Sequence, residues 1–280
     1  MDADRRETGE SSLTVARRAP APALRPYLLS QLEGWEQSRG QDDLMREVPF
    51  PGVPLIFDLG AGWDVADPFD PGYARRRAFV AGMHAAPSLV RAAAPSWTCI
   101  ELRLTPLAAG RVLGLPMHEL TNRTVELEDV FPEAPELLDR LRDTATWSSR
   151  FDLVERFLAR RLEVAAAPPP GVEWSWARLR QSGGAASIGA LASELGWSHR
   201  RLIARFREHI GLAPKTVARV LRFDRAVEAL RSPQAAGIAE VAFACGYFDQ
   251  AHLNREFREL AGTTPAAFVG AALDSGGTAA

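Results

Sequence analysis

The chain has 280 residues, 46% of them hydrophobic and 24% charged, with a formal charge of −2. That length accommodates two domains, each with a core of its own, and a charge near zero by itself points to neither a nucleic acid nor a membrane surface. Only two cysteines occur, Cys99 and Cys245, too far apart for a disulfide framework and consistent with a reducing, cytoplasmic setting.

The N-terminus, Met1-Asp-Ala-Asp-Arg-Arg6, lacks the apolar stretch of a secretory signal, and no apolar run approaches the ~20 residues a bilayer requires. The first 20 residues are polar and read as a disordered segment. Residues 21–166 read as an α+β domain. Val53-Pro-Leu-Ile-Phe-Asp-Leu59 is a short apolar run closed by Gly60-Ala-Gly62. From Trp97 to Leu104, Ile100, Leu102 and Leu104 alternate with Cys99, Glu101 and Arg103, the pattern of a half-buried strand. Pro106 suits the first turn of a helix running to Leu113. Two further helices are expected over Glu133–Arg142 and Phe151–Leu162, the second carrying Phe151, Val154, Phe157, Leu158 and Leu162 at helical spacing. Ala165-Ala-Ala-Pro-Pro-Pro-Gly171 can neither continue a helix nor join a sheet, and places a linker over residues 167–173.

Catalytic chemistry finds little footing in this first block. His84 and His118 are its only histidines and have no metal-ligand spacing. A phosphate-binding glycine loop and a G-x-S-x-G elbow are both missing. Asp58, Asp64, Asp67 and Asp70 surround a glycine-rich turn without calcium-loop spacing and read as a solvated loop. Cys99 and Cys245 read as buried structural thiols. The expectation is therefore no catalytic residue, no cofactor and no metal.

Residues 174–270 read as helical throughout, followed by a flexible tail at 271–280. From Arg178 to Gly262 thirteen basic residues oppose eight acidic ones, a net +5 that leaves −7 for the remainder. Lys215 is the only lysine, so the other 32 basic residues are arginines, a bias that codon usage explains without phosphate recognition.

An internal repeat organises this block. Ile188-Gly-Ala-Leu-Ala-Ser-Glu-Leu-Gly196 is followed by Leu202, Phe206, Arg207, Glu208, Gly211 and Pro214; Ile238-Ala-Glu-Val-Ala-Phe-Ala-Cys-Gly246 is followed by Leu253, Phe257, Arg258, Glu259, Gly262 and Pro265. The second copy differs by one extra residue in its turn. Each copy reads as a short helix, a glycine turn and a second helix capped by Ser198 or Asp249, which is the helix-turn-helix arrangement. The units are expected over 187–210 and 237–261. Leu202 and Phe206, and likewise Leu253 and Phe257, are four apart and share the inner face. His199, Arg200, Ile203, Ala204 and Arg207 then point outward in the first unit, and Gln250, Ala251, Asn254 and Arg255 in the second. Gln and Asn suit adenine and Arg suits guanine. Between the units, residues 214–231 form one amphipathic helix with Val217, Val220, Leu221, Ala226, Val227 and Leu230 inward. At 1.5 Å per residue it is ~26 Å long, of the order needed to set two helices into successive major grooves ~34 Å apart.

Gly246-Tyr-Phe-Asp-Gln-Ala-His-Leu-Asn-Arg-Glu-Phe-Arg-Glu-Leu-Ala-Gly-Thr-Thr-Pro265 resembles the signature of the AraC/XylS regulators, and residues 174–269 are similar to their DNA-binding domain. The resemblance implies base contacts at Arg200, Ile203 and Ala204 and at Gln250, Ala251 and Arg255, to which the outward spacing adds Asn254. Ile203 and Ala204 are apolar, so the first helix either reads thymine methyls or chiefly grips the backbone. The expected phosphate contacts are Ser198, His199, Arg201, Arg205, Arg207, Lys215 and Arg258. Segments 51–60 and 101–116 resemble the sensor domains that accompany this module. Implied partners are double-stranded operator DNA, RNA polymerase, and an unidentified small-molecule or protein effector at the N-terminal domain, with no membrane. The rival reading is an enzyme of DNA-repair alkyltransferase type that uses the helical block for delivery; it requires a reactive cysteine or a metal cluster.

Overall fold

Alternation along residues 97–104 builds the centre of the N-terminal domain: Ile100, Leu102 and Leu104 are fully buried, while Glu101 and Arg103 pair with each other at 2.7 Å on the opposite face. The computed structural model describes residues 2–8, 11–38, 44–70, 72–232 and 237–274. Its strands are β1 (Asp2–Thr8), β2 (Ser11–Arg18), β3 (Leu32–Ser38), β4 (Met45–Glu47), β5 (Val53–Asp58), β6 (Trp63–Ala66), β7 (Ala74–Arg76), β8 (Ala78–Ala81), β9 (Ser88–Ala92), β10 (Trp97–Leu104) and β11 (Thr124–Glu126). They form two antiparallel sheets, a larger one in the order β1-β2-β3-β10-β5-β8-β11 and a smaller one in the order β4-β9-β6-β7. β10 is central and lays its apolar face beside that of β5, pairing Leu102 with Leu55 and Ile100 with Phe57.

Two helices pack on the larger sheet, and a third packs on one of them. α1 (Pro106–Leu113) starts at Thr105, whose Oγ1 accepts from the Ala108 amide, and ends at Gly114 in the left-handed region. α2 spans Ala134–Asp143 and α3 spans Trp147–Val164; the second begins a turn earlier than its apolar spacing predicted because Thr146 caps it.

Four expectations are corrected. The segment 1–20 is not left as a disordered arm: β1 and β2 lie in it, and β2 is held by Val15 and Ala16, which are buried, and by Arg18 paired to Asp152 and Glu155 on α3. Residues 1, 9 and 10 lie outside the described residues. The linker expected over 167–173 is shorter, because α4 (Pro170–Gln181) begins within it; a proline at the first helical position gives up an amide that has no helical acceptor anyway. The tail expected at 271–280 begins later: residues 271–274 belong to α10 (Pro265–Asp274), and 275–280 lie outside the described residues. The aspartates near the glycine turn are individually engaged rather than simply solvated. Asp58 is buried and accepts from the Gly60 and Gly62 amides, Asp64 pairs with Arg75 and Arg91, and Asp67 accepts from the Thr124 amide.

The C-terminal block is all helical. After α4 come α5 (Ile188–Glu194), α6 (His199–Ile210), α7 (Pro214–Arg231), α8 (Ile238–Ala244), α9 (Gln250–Ala261) and α10. Three apolar clusters form among the described residues; the smallest gathers Trp63, Val65, Phe79 and Cys99 within the N-terminal domain, and the other two divide the chain unexpectedly. One runs without a break from the N-terminal domain through α4, α5, α6 and the first half of α7, ending at Leu221. The other begins at Phe223 on the same helix and takes in α8, α9 and α10. The first repeat unit thus shares its core with the N-terminal domain, and the second has its own.

Charged groups line the contact between β4, β10 and α7. The Glu47 carboxyl is pushed up to about 7, first by burial and then by Glu101, against the pull of Arg103 and Arg231. Asp224 is likewise pushed up to about 7 by burial and by Glu228, opposed by the same two arginines. A carboxyl that holds its proton more tightly when folded favours folding at low pH, and that advantage is lost as pH rises from about 4 through about 7. Thermal unfolding of wild type and of a Glu47→Gln, Asp224→Asn double variant should therefore diverge across this window, with the wild type losing more stability on alkalinisation. Parallel curves would contradict the assignment.

Candidate DNA-binding surface

In its turn the repeat is reproduced bond for bond. The Gly196 amide donates to Ser193 O and the Trp197 amide to Ala192 O; in the second unit Gly246 donates to Phe243 O and Tyr247 to Ala242 O, all at 2.9–3.0 Å. Gly196 (φ +62°) and Gly246 (φ +78°) occupy the left-handed region at which each turn reverses, a conformation costly for residues with a Cβ. Ser198 Oγ accepts from the Arg201 amide at 3.2 Å and Asp249 Oδ1 from the His252 amide at 2.7 Å, which fixes where α6 and α9 begin. Leu202, Phe206, Leu253 and Phe257 are completely buried, so the helix faces opposite them are those left to solvent.

On α6, Ser198, His199, Arg200, Arg201, Ile203, Ala204 and Arg207 are exposed and Arg205 is half-buried. On α9, Gln250, Ala251, Arg255 and Arg258 are exposed and Asn254 is half-buried, and Lys215 is exposed on the first turn of α7. Two of the expected phosphate contacts have partners within the chain. The Arg201 guanidinium lies over the Trp197 ring, 4.7 Å from its centroid, and Arg205 pairs with Glu208 at 2.7 Å. Both interactions are partly exposed and weak enough for a phosphate to replace. Among the described residues, Arg200, Arg207 and Arg255 form no ion pair. Ser198 uses one lone pair on the helix cap, leaving its hydroxyl proton for a phosphate oxygen.

Sequence reasoning did not identify what orients α9. Arg219 on α7 donates through Nε to the buried Glu256 at 2.7 Å and through Nη2 to Glu259. A signal existed: Leu253, Glu256, Phe257 and Leu260 share one face, so Glu256 is an acid on an apolar stripe and requires a cation.

The N-terminal domain grips both units at their far ends. α6 packs on α1 and on the turn Met117–Leu120, where Thr121 Oγ1 donates to Gly211 O at 2.7 Å. Arg46 Nη1 donates to Ala261 O, the end of α9, at 3.1 Å. Beside α1 a cleft of about 620 Å³ opens toward α4, lined by Tyr27, Arg111, Glu173, Trp176 and Arg180.

A helix-turn-helix domain family matches residues 191–271, and a domain of unknown function, DUF6597, matches residues 16–126. No curated protein matches the chain. Among solved structures, an apo alanine variant of ToxT from Vibrio cholerae is similar with a TM-score of 0.50 at 10% identity, over 90% of this chain and 98% of that one. Wild-type ToxT with an unsaturated fatty acid bound gives 0.51 at 9% identity, over 85% and 94%. At such identities the likeness is one of fold: a β-rich N-terminal domain followed by a helical helix-turn-helix block.

Proposed function

We propose that this chain is a transcription regulator of AraC/XylS type that reads operator DNA through α6 and α9 under the control of its N-terminal domain; the helix-turn-helix family match over residues 191–271 supports this. The observation that carries the reading is the duplicated unit, whose two capped second helices present arginine and amide side chains on faces opposite a dry core. Gln250, Ala251, Asn254 and Arg255 take the base edges on one side, and Arg200, Ile203 and Ala204 on the other. Ser198, His199, Arg201, Arg205, Arg207, Lys215 and Arg258 take phosphates. RNA polymerase is the second macromolecular partner in this reading.

An effector would occupy the cleft between α1 and α4, where Arg111 and Arg180 supply positive charge beside the Tyr27 and Trp176 rings. An organic anion fits that lining, and a fatty acid is bound in one of the ToxT structures. The assignment includes no catalytic step. The alkyltransferase alternative requires a thiolate, whereas burial, Glu101, Asp58 and Glu33 all push the Cys99 thiol well above its ordinary range. Among the described residues no helix is long and apolar enough to cross a membrane, and a cytoplasmic site of action is part of the proposal.

Two substitutions separate base reading from phosphate contact. Arg255→Ala is expected to relax specificity at one base position and to cost about 1–3 kcal/mol on the preferred sequence. Equal loss on every competitor sequence would assign Arg255 to the backbone instead. Arg205→Ala is expected to weaken binding evenly and to lower the salt slope by about 1. An unchanged slope would show that Arg205 stays with Glu208 in the complex.

A further inference from the structure

The one residue by which the second unit exceeds the first is Phe248. Trp197 and Tyr247 occupy equivalent places, each donating its amide to the alanine five residues before it, and Ser198 and Asp249 are equivalent caps. Between Tyr247 and Asp249 stands Phe248, with nothing opposite it in the first unit. Its side chain is 91% exposed, the highest value among the large apolar side chains of the described residues. Its backbone, in contrast, is held. The Phe248 amide donates to His252 Nδ1 at 3.4 Å, and the buried Tyr247 ring meets the His252 ring edge-on at 5.2 Å.

A single exposed apolar side chain is ordinary on a soluble protein, so position has to distinguish this one. Phe248 immediately precedes the cap of α9, and the N-terminal residues of the second helix are those that reach base edges in this architecture. A phenyl ring offers neither donor nor acceptor. The feature it can discriminate in the major groove is the C5-methyl of thymine. We propose that Phe248 packs against a thymine methyl at the edge of the segment read by α9, giving the second unit a base contact from its turn that has no counterpart in the turn of the first. The inference rests on α9 being a DNA reader and names a specificity residue beyond Gln250, Asn254 and Arg255.

The test is a cross between protein and DNA substitutions. The full-length chain is used to select its preferred duplex from a random pool, and each thymine of that duplex is then replaced singly by uracil, which removes only the methyl. Binding is measured at one salt concentration for wild type, Phe248→Ala and Phe248→Ser. Phe243→Ala serves as control, since Phe243 is 84% exposed but lies on α8 and not beside the cap of α9. At one thymine beside the α9 contacts, uracil should weaken wild type and Phe243→Ala about three- to fivefold, the effect of one buried methyl. It should leave both Phe248 variants unaffected. If every thymine-to-uracil change acts equally on wild type and the Phe248 variants, the inference is overturned. If the Phe248 variants bind as wild type does but lose activation of transcription, it is overturned in favour of a protein contact. If wild type selects no sequence from the pool, the DNA reading itself fails. Equal melting temperatures across the variants keep misfolding out of the comparison.

Discussion

Phe206→Ala should cost about 3–5 kcal/mol, the usual penalty for emptying a fully packed phenylalanine site, and the damage should extend into the N-terminal domain. Phe206 is completely buried on α6, in the core that continues through α1 and the strands. Phe257, its counterpart on α9, is equally buried but belongs to the second core, 4.8 Å from the Phe223 ring and 5.7 Å from that of Phe268. Phe257→Ala should cost a similar amount and remain local to α8, α9 and α10. Against the ~5–15 kcal/mol that typically holds a domain, either loss is large. Hydrogen exchange resolves the two cases. Phe206→Ala should deprotect α1 along with α5 and α6, whereas Phe257→Ala should leave α1 at the wild-type level. Wild-type protection of α1 in the Phe206 variant would contradict the shared core.

Gly211→Ala is the second substitution with a large expected effect. Gly211 ends α6 at φ +101° and ψ −37°, where a side chain is strained by about 1–3 kcal/mol before any contact is considered. A Cβ there would also lie 3.1 Å from Met117 O and 3.3 Å from Thr121 Oγ1, so the Met117–Leu120 turn must move and the Thr121 hydrogen bond to Gly211 O must lengthen. Gly196 is the control: it too has positive φ, +62°, but a Cβ there meets nothing within 4 Å. Gly196→Ala should cost only ~1–2 kcal/mol. Gly211→Ala should cost more, and it alone should loosen the N-terminal domain from α6. Equal melting temperatures for the two variants would mean that the contact at Gly211 transmits nothing.

These two predictions turn on features the sequence did not disclose. The repeat was legible because its signals are local: Gly196, Gly246, Ser198 and Asp249 each act on the next few residues, and Leu202/Phe206 and Leu253/Phe257 declare a face by spacing alone. The same holds for the apolar alternation of β10 and the proline that opens α1. Long-range pairing was not legible. β2 looked polar because Thr14, Arg17 and Arg18 flank the buried Val15 and Ala16 without the alternation of a half-buried strand, and only the approach of α3 gives Arg18 its two carboxylates. Nor could composition show that the first unit leans on the N-terminal domain, since Gly211 is 90 residues from Thr121 and the bond between them runs from a hydroxyl to a backbone carbonyl. The proline run overstated the boundary: Pro168 and Pro169 break the chain, but Pro170 starts a helix whose Trp176 and Leu179 join the common core.

For regulation the consequence is directional. A ligand acting on the N-terminal domain would reach α6 through packed side chains, and would reach α9 through α7, Arg219, the Arg46 hydrogen bond and Val48, which packs on the second core. The first unit should therefore respond to such a ligand as part of the N-terminal domain, with the second following through the connecting helix.

A footprint of the full-length chain on its selected duplex tests the central claim most directly. Two units held on one rigid helix should protect two major-groove segments centred about 10 base pairs apart, and Phe257→Ala should erase the segment read by α9 while sparing the other. A single protected segment, or protection that does not depend on sequence, would contradict the two-headed reader described here.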